Sequence, residues 1–571
     1  MGKSQKILLA VFIVLCLAGG GIASLWRGPD HGFDNMNYHI YNAWALLHGR
    51  FGVDLYPADF RSYFYPILDI PYYLLSQECL PDSPRTVAFL MGIPAGILFL
   101  LCFALAWKFI GTLSVHGITP GWRLWHSTLA TFLGMSGISI VLQVGYTSNE
   151  IPVACLVIGG MLAFLQSSKK PGVAGLLSGT MLGMATGLKL TAHVFVIPLL
   201  VCIFFFYPTW RERIRASIAF CAAWWVTFLA IFGWWGWTLY KMTGNPVFPA
   251  MNNLFKSDWI PHDAGMDNRF IPHDMKHILF YPFYWYKTAC VTDGISTDIR
   301  FLFAYTVAAG SGISLLLRGL AKSIFSGTGF QFACKGENAG DKTPAQAVFK
   351  RSFFFITTFV VLSYIVWEFQ FSTLRYAIPI ECLLGVFIFA CASQIFRVYP
   401  NFPKNIPLSA LLLLCTLTAL ATDAHERPRV AFGNVFHPEI PRLPENTLLL
   451  AFPGTLFLAP KIVEINLDAA FVGGFFELPS DKPARTWRKQ ATHPECGVKE
   501  MVRNKINKHT AEFRVLAHDV FDFDDPAINE KCTQYGIVVS KEDVKTLKTN
   551  FGTCKLYKAT RLKEFSRSPN P

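Results

Sequence analysis

Charge is scarce in this chain of 571 residues: Asp, Glu, Lys and Arg together make up 16% of it, against about 25% in soluble domains. That shortage excludes a water-soluble fold over most of the length. Paired cysteines are missing from the apolar runs, where Cys102, Cys155, Cys202 and Cys415 stand singly and behave as small hydrophobes. No Gly-rich nucleotide-binding fingerprint occurs, so a nucleotide-carried substrate has no evident cradle. A His-Glu-x-x-His zinc motif is also missing. His273 and His277 have the right i, i+4 spacing, but Asp274 follows the first histidine where the motif needs Glu. Nor is there a convincing internal repeat, the usual mark of transporters built from two like halves.

Long apolar runs fill the chain instead. Hydrophobic residues reach 52% and the mean hydropathy is +0.35, the profile of a polytopic α-helical membrane protein. Spans are expected at Ile7 to Leu25, Val87 to Phe109, His126 to Gln143, Ile151 to Leu165, Val173 to Leu188 and His193 to Phe206. Further spans follow at Ala216 to Trp237, Phe301 to Leu317, Phe353 to Trp367, Tyr376 to Phe396 and Ile406 to Ala421, about eleven in all. The first run follows Lys3 and Lys6 and ends in small residues, as a signal peptide does. Its length favours an uncleaved first helix.

A net charge of +13 does not point to nucleic acid, because the basic residues sit in short loops between spans. Lys108 with Arg123, Lys169 with Lys170, and Arg211 with Arg213 and Arg215 mark cytoplasmic loops, as do Arg318 to Arg351 and Arg397 to Lys404. The loops between them are acidic, polar or large, so the alternation predicts a multi-pass inner (plasma) membrane protein with a cytoplasmic N-terminus. Residues 1–422 then form the membrane domain, with outer loops at 26–86 and 238–300. Residues 423–571 are richer in charge and carry short apolar strands at Thr447 to Phe452, Phe513 to Leu516, Gly536 to Ser540 and Lys555 to Lys558. They predict a small extracytoplasmic α/β domain. There Cys532 and Cys554 can pair if the compartment is oxidising, and Asp522, Asp524 and Asp525 read as a solvated acidic loop.

The stretch after the first run concentrates polar chemistry. A helix from Asn35 to His48 places Ile40, Ala43, Trp44 and Leu47 on one face and Asn35, Tyr38, His39 and Asn42 on the other. Asp34 falls at the helix start, where it serves as an N-cap, as a carboxylate facing a substrate, or as both. Downstream, Tyr63, Tyr65, Asp69, Tyr72 and Tyr73 suit a sugar, with rings on its apolar face and carboxylates on its hydroxyls. The bland reading of those rings is the interfacial aromatic belt.

Two cations stand out on the sparsely basic side. Lys189 occupies a tight turn between spans, and Arg375 begins another span. Each reads either as a snorkelling anchor or as a ligand for lipid phosphate, which the guanidinium fork matches. In the large loop, Ile260-Pro261-His262-Asp263 and Ile271-Pro272-His273-Asp274 repeat a tetrapeptide around Asp267 and Arg269. A polar loop near substrate fits this better than a metal site.

Taken in order, several motifs give the chain a family likeness. They are Asp34 followed by Asn37-Tyr38-His39, then Gly49-Arg50, Tyr65-Pro66, Gly187-Leu188-Lys189, Asn245-Pro246-Val247-Phe248-Pro249, Arg269-Phe270 and Arg375-Tyr376. The chain resembles bacterial members of the GT-C superfamily of polytopic membrane glycosyltransferases. The resemblance implies a polyprenyl-phosphate-linked sugar donor, an inverting transfer to an extracytoplasmic glycan, lipid or protein, and no nucleic-acid partner. It implies Asp34 as general base, with Tyr38, His39, Asp69, Lys189, Arg269, Arg375 and Tyr376 binding substrate. Many members carry neighbouring acidic pairs, whereas Asp30 and Asp34 are separated by His31, Gly32 and Phe33. The spacing assigns no metal and leaves a divalent cation open. The rival readings are a lipid-linked-glycan transporter or flippase and a non-enzymatic assembly or sensor protein.

Overall fold

The computed structural model describes residues 2–113, 118–260, 262, 270–288, 291, 297–325, 344–396, 405–422, 430–473 and 497–562. Arg269, Asp267, Asp263 and the long 326–343 connection lie outside these residues. Among the described residues, seven helices are long and apolar enough to cross a membrane: Lys3–Arg27, Pro84–Leu113, Glu150–Ser167, Trp210–Thr243, Ile299–Arg318, Ala347–Gln370 and Leu374–Phe396. The remaining predicted spans are also helical but shorter or less apolar, at Pro120–Met135 with Ile138–Gln143, Pro171–Leu188, Leu190–Phe206 and Asn405–Ala421. The chain is a multi-pass helical membrane protein.

Small residues let these helices approach closely. Gly175, Gly179 and Gly183 recur at i+4 spacing on Pro171–Leu188, and a side chain at any of them would strike the backbone of Trp210–Thr243. The predicted His126 to Gln143 span breaks at Ser136–Gly137. The break is held by a charge that the sequence reading left unused. Arg300 is fully buried and donates to the carbonyls of Leu133 (2.9 Å) and Gly134 (2.8 Å) at the helix end, the first of which also accepts from the Ser136 hydroxyl at 3.0 Å. Its guanidinium also bonds Asp298 Oδ1 at 2.9 Å and lies 3.2 Å from Glu381 Oε2. Glu381 lies in the first turn of the Ile378–Phe396 helix, and Arg300 is the second residue of Ile299–Phe325, so this buried group also stands at helix starts.

The C-terminal sheet has five strands: β1 (Leu448–Ala451), β2 (Ala470–Gly473), β3 (Phe513–His518), β4 (Ile537–Thr549) and β5 (Gly552–Arg561). Their order is β2-β1-β3-β5-β4, with β1 parallel to β2 and β3, and β5 antiparallel to β3 and β4. Four strands match the sequence expectation in position. Strand β2 was not foreseen, since a four-residue strand with three consecutive buried residues, ending in glycine, gives little periodicity. Alternate residues of β5 face opposite sides. Tyr557 and Ala559 join the core that holds Cys532 of the Pro526–Gln534 helix, while Cys554 and Leu556 join the other core. The Cys532–Cys554 pairing that the sequence left open is not formed here, and both are buried free thiols.

The sheet is joined to the first loop rather than tethered beside it. Leu55 forms a parallel bridge with Val472, its N–H donating to Phe471 O at 2.9 Å. Arg50 Nη2 binds both Asp54 Oδ1 (2.7 Å) and Ala469 O (2.6 Å), while Asp54 accepts from Phe471 N–H (2.9 Å) and Tyr41 OH (2.8 Å). Ile40, Ala43 and Trp44, the predicted apolar stripe, pack with Leu449, Phe471 and Leu516 of the sheet. Leu47, placed on the same stripe, is exposed. The predicted polar face is not solvated: Asn35, Tyr38, His39 and Asn42 are all buried, with Asn42 donating to Arg61 O at 2.8 Å.

Candidate functional site

The Asp34 segment is a helix of two pitches. Asn35–His39 is a widened π turn, and Ile40–Leu47 is α-helical. Such one-turn expansions recur at functional positions because they re-aim side chains. Here the turn spans the interval between Asp34 and His39. Asp34 itself has helical backbone angles and makes no capping bond. Its Oδ2 lies 3.4 Å from Arg375 Nη1, and the two side chains are 33% and 29% exposed. Both remain within reach of a ligand.

From that contact a chain of opposite charges runs inward. Arg375 Nε lies 3.8 Å from Glu150 Oε1, and Glu150 Oε2 lies 2.6 Å from Lys189 Nζ. Lys189 also donates to Ser148 O at 2.6 Å, and its ammonium sits 5.9 Å from the Tyr376 ring. Arg375 Nη2 donates to Tyr376 OH at 3.4 Å. Thus Asp34, Lys189, Arg375 and Tyr376, spread over more than 340 positions, lie around one another.

His39 and Asp69 form a second, deeper pair. His39 Nδ1 is 2.8 Å from Asp69 Oδ1, which also accepts from Asn149 Nδ2 at 2.6 Å. Burial works against a charged imidazole, but Asp69, Asp34 and Asp30 outweigh it and raise the His39 pKa. Tyr38 lies under the His39 ring at 4.2 Å, and burial with the nearby Asp34 charge keeps its phenol protonated. Burial also raises Asp34, yet Arg375, His39 and Arg61 together hold its carboxyl below the ordinary range. Asp34 is consequently ionised at neutral pH and ringed by positive charge.

The short segment Thr147–Glu150 organises all of this, and sequence reasoning passed over it as a loop. Thr147 donates its N–H (2.9 Å) and hydroxyl (2.7 Å) to Asp30 Oδ2. Ser148 takes Lys189, Asn149 takes Asp69, and Glu150 takes Lys189 and Arg375. The available signal was Asn149-Glu150 opening an apolar run, which alone reads as an acidic first turn. Arg61 was another omission: it pairs with Asp59 and stacks near Phe60 at 5.0 Å. Arg269 lies outside the described residues.

No three His, Cys, Asp or Glu side chains converge as a metal set among the described residues. The carboxylates here are taken up by other partners: Asp34 by Arg375, Glu150 by Lys189, Asp69 by His39 and Asn149, and Asp30 by Thr147. In the other loop, Asp274 caps the Met275–Leu279 helix through the N–H groups of Lys276 and His277, and it also binds the His277 ring. A separate open hollow of about 520 Å³ at the sheet, lined by Glu445, Glu512, Lys558 and Arg561 among others, shares no residue with the Asp34 site.

No protein-family model and no curated protein sequence matches the chain. Among solved structures, it is similar to ArnT from Cupriavidus metallidurans bound to undecaprenyl phosphate, at 11% identity over 100% of each chain and a TM-score of 0.42. A likeness at that level carries no argument about activity.

Proposed function

We propose that this protein is an inverting membrane glycosyltransferase that moves a sugar from a polyprenyl-phosphate donor to an extracytoplasmic glycan, lipid or protein. The observation that carries this reading is the meeting of one reachable carboxylate, Asp34, with two cations at helix ends, Arg375 and Lys189. The donor phosphate binds Arg375 and Lys189, with the guanidinium fork matching two phosphate oxygens. Asp34 takes the proton of the acceptor hydroxyl as its oxygen attacks the anomeric carbon. The bond from that carbon to the phosphate oxygen breaks, and its electron pair leaves as phosphate charge, which the two cations stabilise.

The resting contact between Asp34 and Arg375 fits this order of events. A phosphate on Arg375 draws the guanidinium's charge away from Asp34, and loss of a cationic neighbour raises a carboxylate's proton affinity. Donor binding therefore makes Asp34 a stronger base. Tyr38, Asp69 and Tyr376 line the acceptor and sugar side in this reading, with His39 orienting Asp34 or the acceptor. The membrane is the inner (plasma) membrane, with the N-terminus cytoplasmic and the sheet domain outside.

The test is incubation of purified protein with a panel of polyprenyl-phosphate sugars, following released polyprenyl phosphate. Asp34→Asn is expected to lower transfer by about a thousandfold or more, the scale of a lost general base together with lost orientation, while the protein folds normally. Near-normal turnover would remove Asp34 from the role. The second reading is a lipid-linked-glycan transporter, but the buried Arg300, Asp298 and Glu381 group stands at helix starts rather than at mid-helix, where a transport path places its ionisable residues. Counterflow in liposomes without covalent product would support it.

A further inference from the structure

Glu150 is 5% exposed, and its carboxylate touches both proposed phosphate ligands, Lys189 at 2.6 Å and Arg375 at 3.8 Å. It stands at the N-terminus of the Glu150–Ser167 helix, where the helix dipole favours an anion. Asn149 holds left-handed backbone angles (φ 65°, ψ 11°) directly before it. With Thr147, Ser148 and Asn149 each bonded to a different site group, the carboxylate is fixed at its post. Asp34, by contrast, is a third exposed and bonds Arg375 from the opposite end of the charge chain. The two cations therefore have one permanent counter-ion and one displaceable one.

That arrangement has a consequence in charge. Lys189 and Arg375 supply two positive charges, and the fixed Glu150 carboxylate removes one. We infer that Glu150 is a specificity-determining residue that sets the clamp to a single net positive charge, matching it to a phosphodiester and disfavouring a phosphate monoester dianion. The inference rests on the reading of Lys189 and Arg375 as phosphate ligands. A polyprenyl-phosphate sugar is a diester with one negative charge. The lipid product is a monoester, whose second proton leaves near pH 6, so it carries about two charges above that pH. The same carboxylate that tolerates the donor thus repels the product, and release is favoured without any movement of the fold.

The experiment measures binding of three probes to the full-length protein in detergent: polyprenyl phosphate, its methyl phosphodiester, and the uncharged polyprenol. Glu150→Gln is compared with wild type at about pH 8 and about pH 5, which bracket the second phosphate ionisation. Wild type is expected to bind the diester more tightly than the dianionic monoester at the higher pH, and the two within a fewfold of each other at the lower pH. Glu150→Gln is expected to shift the ratio toward the monoester by about tenfold at the higher pH, the size of removing one charge a few ångströms away at a dielectric between those of the protein surface and water. The shift should vanish at the lower pH, where both probes carry one charge.

The groups facing Glu150 are Lys189 and Arg375, with Asp34 and Tyr376 beyond Arg375 and the His39–Asp69 pair behind Asn149. Comparing variant with wild type at the same pH cancels their titration, and a merely structural role would not give a shift confined to the dianion. An unchanged ratio in Glu150→Gln, with wild type still preferring both phosphates to polyprenol, overturns the inference and leaves the proposed function standing. Equal binding of all three probes by wild type overturns both. Should the variant not fold, wild type alone decides: monoester binding as tight as diester or tighter at the higher pH overturns the inference.

Discussion

His39 and Asp34 sit five positions apart, yet burial bears on them in opposite senses. For His39, burial opposes the charge and Asp69 restores it, so its folded pKa lies above the ordinary 6.5. The stability this contributes is fully present below that value and is lost as pH rises through the folded pKa. Thermal midpoints of wild type should therefore fall as pH rises from about 6.5 upward, and His39→Gln should flatten that slope. Asp34 has the reverse sign: its folded pKa is depressed, so its contribution is present above 3.8 and lost on acidification. Arg375→Lys keeps the charge at the Asp34 contact but loses the planar fork. It is expected to lower kcat/KM by about ten- to a hundredfold, as losing one charge-assisted bond would. Arg375 and Lys189 were legible as candidates because isolated cations on a sparsely basic side stand out. Glu150 was not, because a glutamate opening a span looks like any acidic first turn; its meaning comes from Lys189 and Arg375, which only the fold brings to it.

At the scale of elements, hydropathy made the helices visible and left their interruptions hidden. The break at Ser136–Gly137 sits inside a run that reads as continuous, and what stabilises it is Arg300, more than 160 positions away. Arg300 is wholly buried among Asp298, Glu381 and two helix-end carbonyls. Arg300→Met leaves two carboxylates buried without their cation, a change that costs about 3–5 kcal/mol. The expected result is a marked drop in thermal midpoint in detergent. A triple variant, Arg300→Met with Asp298→Asn and Glu381→Gln, should recover part of it, because no buried charge is then stranded. The Asn35–His39 π turn was unreadable for a related reason. Its residues suit an ordinary helix, and at its start Asn35 binds partners outside the helix, Asp30 O and Tyr72 OH, both at 3.0 Å. Strand β4 runs to Thr549, far past its expected end, because Lys541 to Lys545 carry the charges of a loop while bulging out of the ladder.

Across the whole molecule, the membrane part and the sheet domain divide the site between them. Glu150, Lys189 and Arg375 hang on transmembrane helices and hold one another. The Asp34 segment depends on the sheet. Ile40 and Trp44 pack on Leu449 and Phe471, Gly454 N–H binds Asn37 Oδ1 at 3.2 Å, and Arg50 binds Ala469 O. A chain ending at residue 429 would keep the cations and lose the surface that orders the carboxylate. It is expected to bind polyprenyl phosphate within about threefold of the full protein, since the charges closest to the phosphate dominate its Coulomb energy. Transfer should fall by at least a hundredfold, because a misplaced base forfeits the advantage of orientation. A milder version tests the same division without deletion. Arg50→Met removes the bond to Ala469 and strands Asp54 in a buried position, at a cost of about 3–5 kcal/mol. Limited proteolysis should then degrade the sheet domain faster, with lipid-phosphate binding preserved. If truncation abolishes phosphate binding while the helices still melt cooperatively, the cations depend on the sheet as well, and the site is one unit rather than two halves brought together.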